Sequence, residues 1–401
     1  MDSPGFSALV KVPDSTDFNV LGLTQLERTL LALVKAGATN IFIVAQDVDD
    51  VKRRAARSIK ASTLHFFSLP EQQKAWQQAI VTADTGIFFM PEPLAVDLSV
   101  LEDLKKQLET APAVIAEGGG VALLQLQYAS QLSPDRLETG HPEADLPDAK
   151  RLPIGQRTCH AVHSAGDLKA VKRRMIKNLT KPSDGIVSRH LNRKISTGIS
   201  RWVTYLPVTP NQITFFTGII AFIPCYFMYQ GGYQNWLIGA ATYQLASTLD
   251  GVDGEIARLK MQSSKFGQWL DTLLDFVSMI AVLLCLVAGV HRVDQPEFIR
   301  WAGKLSIIFA LLSFAGLLLF IFRFKKEGSF NIQYSFLSSD SKWARAIKAV
   351  DFLGRRDFYI FFFFLLALFG LMPWALVYVG GFAMIIFLFI VQAHFQTKTT
   401  S

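Results

Sequence analysis

Four aspartates in an otherwise apolar stretch are the residues of this sequence best suited to chemistry. Asp250 and Asp253 are three residues apart, and Asp271 and Asp275 are four apart. Residues at these spacings share one face of a helix, so each pair forms an acidic face. An ionised side chain within a membrane helix costs several kcal/mol and usually serves a function. The sequence therefore predicts a functional carboxylate site.

The chemistry of this stretch points to a metal and a phosphate. Four neighbouring carboxylates repel one another unless a cation neutralises them, and all-oxygen ligands suit Mg²⁺ or Mn²⁺. Such a metal neutralises charge on a reacting phosphate, while a carboxylate not committed to the metal accepts a proton. Gly251, Gly254 and Gly267 leave the acidic faces open, and Arg258 can make a forked contact to phosphate.

Six apolar runs must position these aspartates. They lie near residues 211–230, 235–257, 267–290, 302–322, 357–372 and 374–394. Each approaches the roughly 20 residues that a spanning helix needs. The two acidic faces lie on the second and third runs, which form an antiparallel hairpin. We therefore expect an all-α, six-helix transmembrane bundle over residues 208–401.

Loop charges give the orientation of this bundle. Basic residues concentrate in the second and fourth loops, whereas the first and fifth are uncharged. This pattern places both termini in the cytoplasm. The N-terminus lacks the pattern of a signal peptide, which agrees with that orientation. We expect an integral protein of the inner or plasma membrane.

Residues 181–207 precede the first run and show helical amphipathicity. Ile186, Leu191, Ile195, Ile199 and Val203 recur mostly every four residues, with basic residues between them. This spacing is typical of a juxtamembrane helix in the headgroup layer. The alternative is a connector helix that packs on protein.

The acidic stretch resembles the signature of the CDP-alcohol phosphatidyltransferase family. That signature is D-x2-D-G-x2-A-R, about eight residues, and then G-x3-D-x3-D. The sequence fills its eight fixed positions with Asp250, Asp253, Gly254, Ala257, Arg258, Gly267, Asp271 and Asp275. The resemblance spans about residues 181–395 and includes the number of helices.

The resemblance implies an enzyme that transfers a substituted phosphate from a CDP-alcohol to an alcohol acceptor. By it, Asp250, Asp253 and Asp271 would ligate one or two ions of Mg²⁺ or Mn²⁺. Asp275 would be the catalytic base and a further metal ligand. The CDP-alcohol would be bound by Gly254, Ala257, Arg258 and Gly267. A homodimer is an assembly that the resemblance leaves open.

Residues 1–180 alternate between strands and helices, which predicts a cytosolic α/β domain with a mainly parallel three-layer sheet. The strand-like runs are Phe6–Val12, Thr39–Val44, Leu64–Leu69, Gly86–Met90 and Ala113–Ala116. The helix-like runs are Thr24–Ala36, Asp49–Ile59, Glu71–Ala83 and Leu98–Leu108. The order resembles the nucleotidyltransferase fold that some family members carry as a fusion, as in inositol-phosphate cytidylyltransferase/di-inositol-phosphate synthase-like proteins.

The catalytic parts of that fold are missing from residues 1–180. Its active members follow the first strand with a glycine-rich loop, but here no glycine occurs between Val12 and Gly22. Where a metal-binding aspartate is expected, only Glu92 and Asp97 are nearby as substitutes. We therefore expect this domain to be inactive.

Three functions remain open. In the first, the protein makes a phospholipid from a CDP-alcohol donor and an alcohol acceptor, one of them a lipid. In the second, it makes a soluble phosphodiester of the di-inositol-phosphate type, although members of that type usually carry a working cytidylyltransferase. In the third, it is not an enzyme and the carboxylates line a cation pathway. The net charge of +7 fits anionic lipids and a phosphate substrate, so no nucleic-acid partner is expected.

Overall fold

The structure is a computed structural model, and its two compact units are described separately. It describes residues 5–13, 17–55, 64–117, 120–132, 146, 149–181, 183–324 and 351–396. The first unit comprises residues 1–180, 201–207 and 256–262. The second comprises residues 181–200, 208–255 and 263–401.

A seven-stranded sheet forms the centre of the first unit, and two short ladders accompany it. The strands are β1 (Phe6–Val12), β2 (Asn19–Val20), β3 (Leu23–Thr24), β4 (Ala38–Ala45), β5 (Leu64–Ser68), β6 (Gly86–Met90), β7 (Ala95–Val96), β8 (Ala113–Ala116), β9 (Ala122–Gln125), β10 (Lys150–Leu152) and β11 (Cys159–His160). The sheet order is β10-β8-β9-β6-β1-β4-β5. Its pairs are parallel except where β9 runs antiparallel between β6 and β8.

Helices cover both faces of this sheet. They are α1 (Gln25–Lys35), α2 (Val48–Ala55), α3 (Gln72–Thr82), α4 (Leu98–Leu108), α5 (Leu126–Ala129) and α6 (Ala165–Lys177). Alternate residues of β1 point to opposite faces, since Ala8 and Val10 pack with α1 and α4 while Leu9 packs with Trp76 of α3. The predicted three-layer α/β architecture is confirmed, with the bounds of the predicted strands correct to within one residue.

Local sequence explains where these elements begin and end. At the start of α1, the Thr24 hydroxyl accepts from the backbone N–H of Glu27 while the Glu27 carboxylate accepts from the backbone N–H of Thr24, which forms a capping box. The predicted helix Asp49–Ile59 is described as Val48–Ala55, and residues 56–63 lie outside the described residues.

The second unit is helical in the residues described. Its helices are α7 (Arg193–Val203, of which residues 201–203 belong to the first unit), α8 (Pro210–Ile220), α9 (Ile223–Gln230), α10 (Tyr233–Leu259, whose last turn belongs to the first unit), α11 (Lys265–Arg292), α12 (Glu297–Phe324), α13 (Arg356–Leu368) and α14 (Trp374–Gln396). A helix occupies each predicted run, but the first run is divided at Ala221 and Phe222.

Two of these segments are long and apolar enough to cross a membrane, namely Pro210–Gln230 and Lys265–Arg292. Trp374–Ile385 is apolar but shorter. The count of two segments covers only the described residues. Most of the basic fourth loop, residues 325–350, lies outside the described residues. A helical region is therefore established, whereas six membrane crossings are not.

The predicted juxtamembrane helix has its polar side buried. A π-helical turn, Ser188–Asn192, continues into α7. Asn192, Ser196 and Ser200 are buried, whereas the predicted apolar stripe is exposed at Ile186, Leu191 and Ile195.

Candidate active site

The hairpin of α10 and α11 positions the four aspartates. Asp250 and Asp253 lie on α10, and Asp271 and Asp275 lie on the first three turns of α11. Ser264 begins α11, because its hydroxyl accepts from the backbone N–H of Gly267 at 3.0 Å. This cap fixes the start of the helix and hence the direction in which Asp271 and Asp275 point.

Three of the four aspartates converge. Asp250, Asp271 and Asp275 each place a carboxylate oxygen within 4.8 Å of the others, and all three side chains are partly buried. Asp253 lies outside this group. It is 7% exposed and accepts a short hydrogen bond from the Thr214 hydroxyl on α8. In this conformation the Thr214 hydroxyl on α8 holds one carboxylate oxygen of Asp253.

An arginine that sequence reasoning treated only as loop charge joins this carboxylate cluster. Nη1 of Arg356, the first residue of α13, lies 3.0 Å from Asp250 Oδ2 and also forms an ion pair with Asp275. The one sequence signal was its position directly before an apolar run. The guanidinium links the two acidic helices to a third.

The residues of the carboxylate cluster fit a divalent cation. Their donors are oxygens at mutual distances that one ion can bridge, which suits a hard cation. Three carboxylates beside one guanidinium leave two formal negative charges, and one divalent ion neutralises them. The donor set does not distinguish Mg²⁺ from Mn²⁺.

A buried polar network links α7 to α10. Glu255 is fully buried, and its two carboxylate oxygens accept from Arg193 at 2.7 Å, Ser196 at 2.6 Å and Ser200 at 2.6 Å. Arg193 also donates from Nε and Nη2 to Asp184 at 3.1 and 3.2 Å. Burial alone would raise the pKa of Asp184, but these hydrogen bonds outweigh it and lower that pKa. Sequence reasoning did not identify this network, whose only signal was charge among the polar residues of α7.

Two cavities flank the carboxylates. A polar pocket of about 350 Å³ is lined by Asp250 and Asp275 together with Arg193, Arg355 and Arg356. An apolar cavity of about 270 Å³ begins at Phe276, the residue after Asp275, and its wall includes Tyr243, Met279, Tyr359, Phe363 and Phe382. One site thus adjoins both a charged space and a space suited to hydrocarbon.

Comparison with known proteins assigns the second half of the chain. Residues 207–391 match the CDP-alcohol phosphatidyltransferase family, and the match contains the aspartates and Arg356. These residues are a CDP-alcohol phosphatidyltransferase domain. Proteins of this family are integral to membranes, which agrees with the two long apolar segments.

Curated relatives of the chain are described as transferases and synthases. A bifunctional IPC transferase and DIPP synthase of Thermococcus kodakarensis is 38% identical over 225 residues, which is 55% of this chain and 42% of the relative. The protein of the same description from Aquifex aeolicus is 36% identical over 141 residues, 35% of this chain and 31% of the relative. An archaetidylinositol phosphate synthase of Pyrococcus horikoshii is 31% identical over 91 residues, 23% of this chain and 47% of the relative. The alignments thus cover less than half of each of these relatives.

The residues predicted to bind CDP lie along the signature of the CDP-alcohol phosphatidyltransferase domain, but not in one group. Gly254 follows Asp253, and its N–H donates to the Asp253 carboxylate. Gly267 lies in the first turn of α11. Ala257 and Arg258 lie in the last turn of α10, which belongs to the first unit, and Arg258 Nη2 donates to the Leu179 carbonyl at 3.4 Å. Gly251 faces Arg193, since an added Cβ would lie 2.9 Å from its Nη1.

Among the described residues of the first unit, the carboxyl ends of the central strands enclose little space. A cavity of about 20 Å³ lies there, lined by Val12, Asp17, Gln25, Arg54 and Glu92 among others. The Gln25 amide fills it by donating to the Pro93 carbonyl and accepting from the Val162 N–H.

The two acidic residues considered as substitutes for a metal ligand have structural partners. Glu92 Oε2 lies 3.3 Å from His163 Nε2. Asp97 accepts from the Thr158 N–H at 2.7 Å, and burial raises the pKa of this carboxyl. Residues 14–16 of the loop after β1 lie outside the described residues.

Proposed function

We propose that this protein transfers a substituted phosphate from a CDP-alcohol to an alcohol acceptor and releases CMP. The observation that carries the proposal is the convergence of Asp250, Asp271 and Asp275 within a domain of the CDP-alcohol phosphatidyltransferase family. Such a cluster suits the transfer of a charged phosphoryl group, because that reaction needs positioning and charge neutralisation.

The four aspartates carry the chemistry in this proposal. Asp250, Asp253, Asp271 and Asp275 would hold Mg²⁺ or Mn²⁺, which would neutralise charge on the phosphate oxygens. Asp275 also accepts the proton of the acceptor hydroxyl, whose oxygen attacks the phosphorus bearing the donor alcohol. The bond between that phosphorus and the oxygen of CMP breaks, and CMP leaves with the electron pair.

Gly254, Ala257, Arg258 and Gly267 bind the CDP moiety in this proposal. Because Gly254 and Gly267 have no side chain, the diphosphate can approach the backbone of α10 and α11 closely. Arg258 supplies a guanidinium to the diphosphate, a contact that is strong because both partners are charged.

The substrates we propose are one polar molecule and one lipid. The polar pocket presents Arg355 and Arg356 beside the carboxylates, which suits an anionic or polyol acceptor. The apolar cavity next to Phe276 suits the hydrocarbon chain of a lipid. A reaction between such substrates makes a phospholipid at the membrane surface. The description of the relative from Pyrococcus horikoshii as an archaetidylinositol phosphate synthase supports this choice.

A soluble phosphodiester of the di-inositol-phosphate type is the second candidate. It is favoured by the descriptions of the relatives from Thermococcus kodakarensis and Aquifex aeolicus as DIPP synthases. The small, filled space at the carboxyl ends of the strands in residues 1–180 argues against it. We propose that this domain does not transfer nucleotides, so the chain would not make its own soluble CDP-alcohol.

For the membrane, we propose that residues 208–401 cross six times with both termini in the cytoplasm. The exposed apolar stripe at Ile186, Leu191 and Ile195 supports placing the helix of residues 181–207 in the headgroup layer. A protein accessible from the cytoplasm at both ends would be labelled there by membrane-impermeant reagents only after the membrane is opened.

The reverse reaction tests the proposed function. Purified protein is incubated with CMP, Mg²⁺ and total membrane lipid, and any CDP-alcohol is identified by mass spectrometry. A CDP-linked lipid confirms the lipid reaction. A CDP-alcohol formed only when di-inositol phosphate replaces the lipid supports the second candidate. No CDP-alcohol from either source rejects the proposal.

A further inference from the structure

The hairpin β2–β3 of the first unit lies between β1 and α1. It joins Asn19–Val20 to Leu23–Thr24 through Leu21 and Gly22, both with positive φ, at 53° and 84°. Glycine tolerates this left-handed backbone, whereas other residues are strained in it. The turn is nevertheless tightly packed, since Val20 and Leu21 are almost completely buried.

This turn contacts a segment far away in the sequence, Arg201–Pro207, which belongs to the same unit. The Thr204 hydroxyl donates to the Leu21 carbonyl at 3.0 Å in a buried position. A Cβ on Gly22 would lie 2.3 Å from the Thr204 carbonyl oxygen, a backbone atom that cannot move alone. The close fit at Gly22 therefore requires glycine for space as well as for backbone conformation.

The same unit also includes the last turn of α10 and the residues after it, Ile256–Gln262. Leu259 packs in one buried cluster with Val20, Leu21, Met175 and Leu179. Lys260 Nζ donates to the Leu206 carbonyl at 2.6 Å. The hairpin, Arg201–Pro207 and the end of α10 are thus packed together through apolar contact and hydrogen bonds.

We infer that residues 1–180 hold the CDP-binding end of α10 in position. In this inference the β2–β3 hairpin is the docking surface on which that end and Arg201–Pro207 pack. The segment that it holds contains Ala257 and Arg258, the last two residues of the D-x2-D-G-x2-A-R signature. Gly22 and Thr204 are positioning residues, since they act on nucleotide binding only through that segment. In this inference residues 1–180 contribute to the reaction without binding a nucleotide themselves. The inference concerning nucleotide affinity rests on the proposed function.

Glycine substitutions in the full-length protein test this inference. Gly22→Ala adds both backbone strain and a collision with Thr204. Gly155→Ala is the matched control, because Gly155 also has a positive φ, of 59°, but an added Cβ there meets nothing within 4 Å. Thr204→Val is the second variant, since it removes only the hydrogen bond to Leu21 and keeps the shape of the side chain.

Two measurements are made on each variant. The first is amide hydrogen exchange at residues 256–262, where Lys260 and Gln262 donate to the carbonyls of Ile256 and Ala257. We expect Gly22→Ala and Thr204→Val to speed exchange there, and Gly155→Ala to leave it unchanged. The second is the Kd of CMP in the presence of Mg²⁺, which we expect Gly22→Ala to raise about tenfold relative to Gly155→Ala.

The outcomes separate this inference from the proposed function. If amide exchange at residues 256–262 is equally fast in Gly22→Ala, Thr204→Val and Gly155→Ala, the inference that the hairpin is a docking surface is wrong. Faster exchange with an unchanged Kd for CMP overturns the role in nucleotide binding. If the unmodified protein binds no CMP with Mg²⁺, the proposed function fails, and the exchange measurement alone then decides whether the hairpin supports α10.

Discussion

At the scale of single residues, Arg356 forms ion pairs with two of the clustered aspartates. Its guanidinium pairs with Asp250 of α10 and with Asp275 of α11 and so links the two helices. A metal ion bound by the same oxygens would compete with this guanidinium. Asp271 contributes its oxygen to the carboxylate cluster without a described ion pair to Arg356. Arg356 thus forms its described ion pairs with two of the three clustered carboxylates.

Metal removal should abolish the reaction. The oxygen donors leave two negative charges uncompensated, so the phosphate of a substrate is repelled unless a divalent ion is present. We expect CMP release from a CDP-alcohol to stop in excess chelator and to return with Mg²⁺ or Mn²⁺. Full turnover in the chelator would contradict the metal site.

Asp275→Asn should separate catalysis from binding. The amide keeps the shape of the side chain but does not accept the acceptor's proton, so we expect turnover to fall roughly 10²-fold or more. Metal-dependent CMP binding should remain largely intact. Turnover and the Kd of CMP are measured on the same preparation.

Asp250→Asn is the comparison for Asp275→Asn. Because Asp250 belongs to the metal ligands in our proposal, its loss should weaken metal-dependent CMP binding itself. Two results for Asp275→Asn would contradict the division into a base and a metal ligand. One is near-normal turnover, and the other is a loss of CMP binding as large as that in Asp250→Asn.

Arg356→Gln should lower the Mg²⁺ concentration required for half-maximal CMP binding by about tenfold, because a positive charge beside the metal ligands is removed. The variant is compared with Arg300→Gln. Arg300 pairs with Asp294 at 2.8 Å and does not line the polar pocket, so we expect its substitution to leave the Mg²⁺ requirement unchanged. An equal Mg²⁺ requirement in both variants would indicate that Arg356 leaves the carboxylates when metal binds.

At the scale of elements, α7 is attached to the signature helix by charge instead of apolar packing. Glu255, within the D-x2-D-G-x2-A-R stretch, receives three hydrogen bonds from α7 in a fully buried position. A buried charge is tolerated only when it is paired and hydrogen-bonded. This arrangement leaves the apolar stripe of α7 free to face lipid.

Glu255→Gln should destabilise the protein by about 3 kcal/mol, because it leaves the buried Arg193 without one of its two carboxylates. The measurement is the free energy of unfolding in detergent, followed by the loss of helical circular dichroism. Thr197→Ala on the same helix is the control. Its hydroxyl donates only to the Arg193 carbonyl, so its loss should cost about 0.5 kcal/mol. Equal stability of the two variants would mean that the network does not attach α7.

At the scale of the whole molecule, residues 1–180 with their mainly parallel sheet precede the residues that match the CDP-alcohol phosphatidyltransferase family. The crevice at the carboxyl ends of parallel strands is where such sheets bind ligands. Among the described residues, which exclude 14–16 beside it, the cavity at that crevice measures about 20 Å³, whereas pockets for small molecules measure roughly 300–1,000 Å³.

The full-length protein should therefore not use CTP. We expect no release of pyrophosphate when it is incubated with CTP, Mg²⁺ and a sugar or polyol phosphate. The same preparation serves as its own control if it forms a CDP-alcohol from CMP and lipid. Formation of a CDP-alcohol from CTP would show that the crevice opens and would revive the soluble phosphodiester as the main candidate.

The sequence by itself determined five of the strands and four of the helices in the first unit, together with the acidic character of the site. Strand bounds such as Phe6–Val12 and Gly86–Met90 were predictable, because turn residues and apolar runs mark them locally. The pairs Asp250/Asp253 and Asp271/Asp275 were predictable because helical spacing alone puts each pair on one face. The amphipathic α7 was equally visible, although which of its faces would be buried was not.

Only the tertiary structure decided which groups meet. Arg356 follows Asp275 by more than 80 residues, and no local pattern indicates that its guanidinium reaches this carboxylate. Likewise, the contact of Gly22 with Thr204 depends on how the chain folds back. Spacing in the sequence fixes the face of a helix but not its neighbours, because packing between distant segments depends on the shape and charge of both.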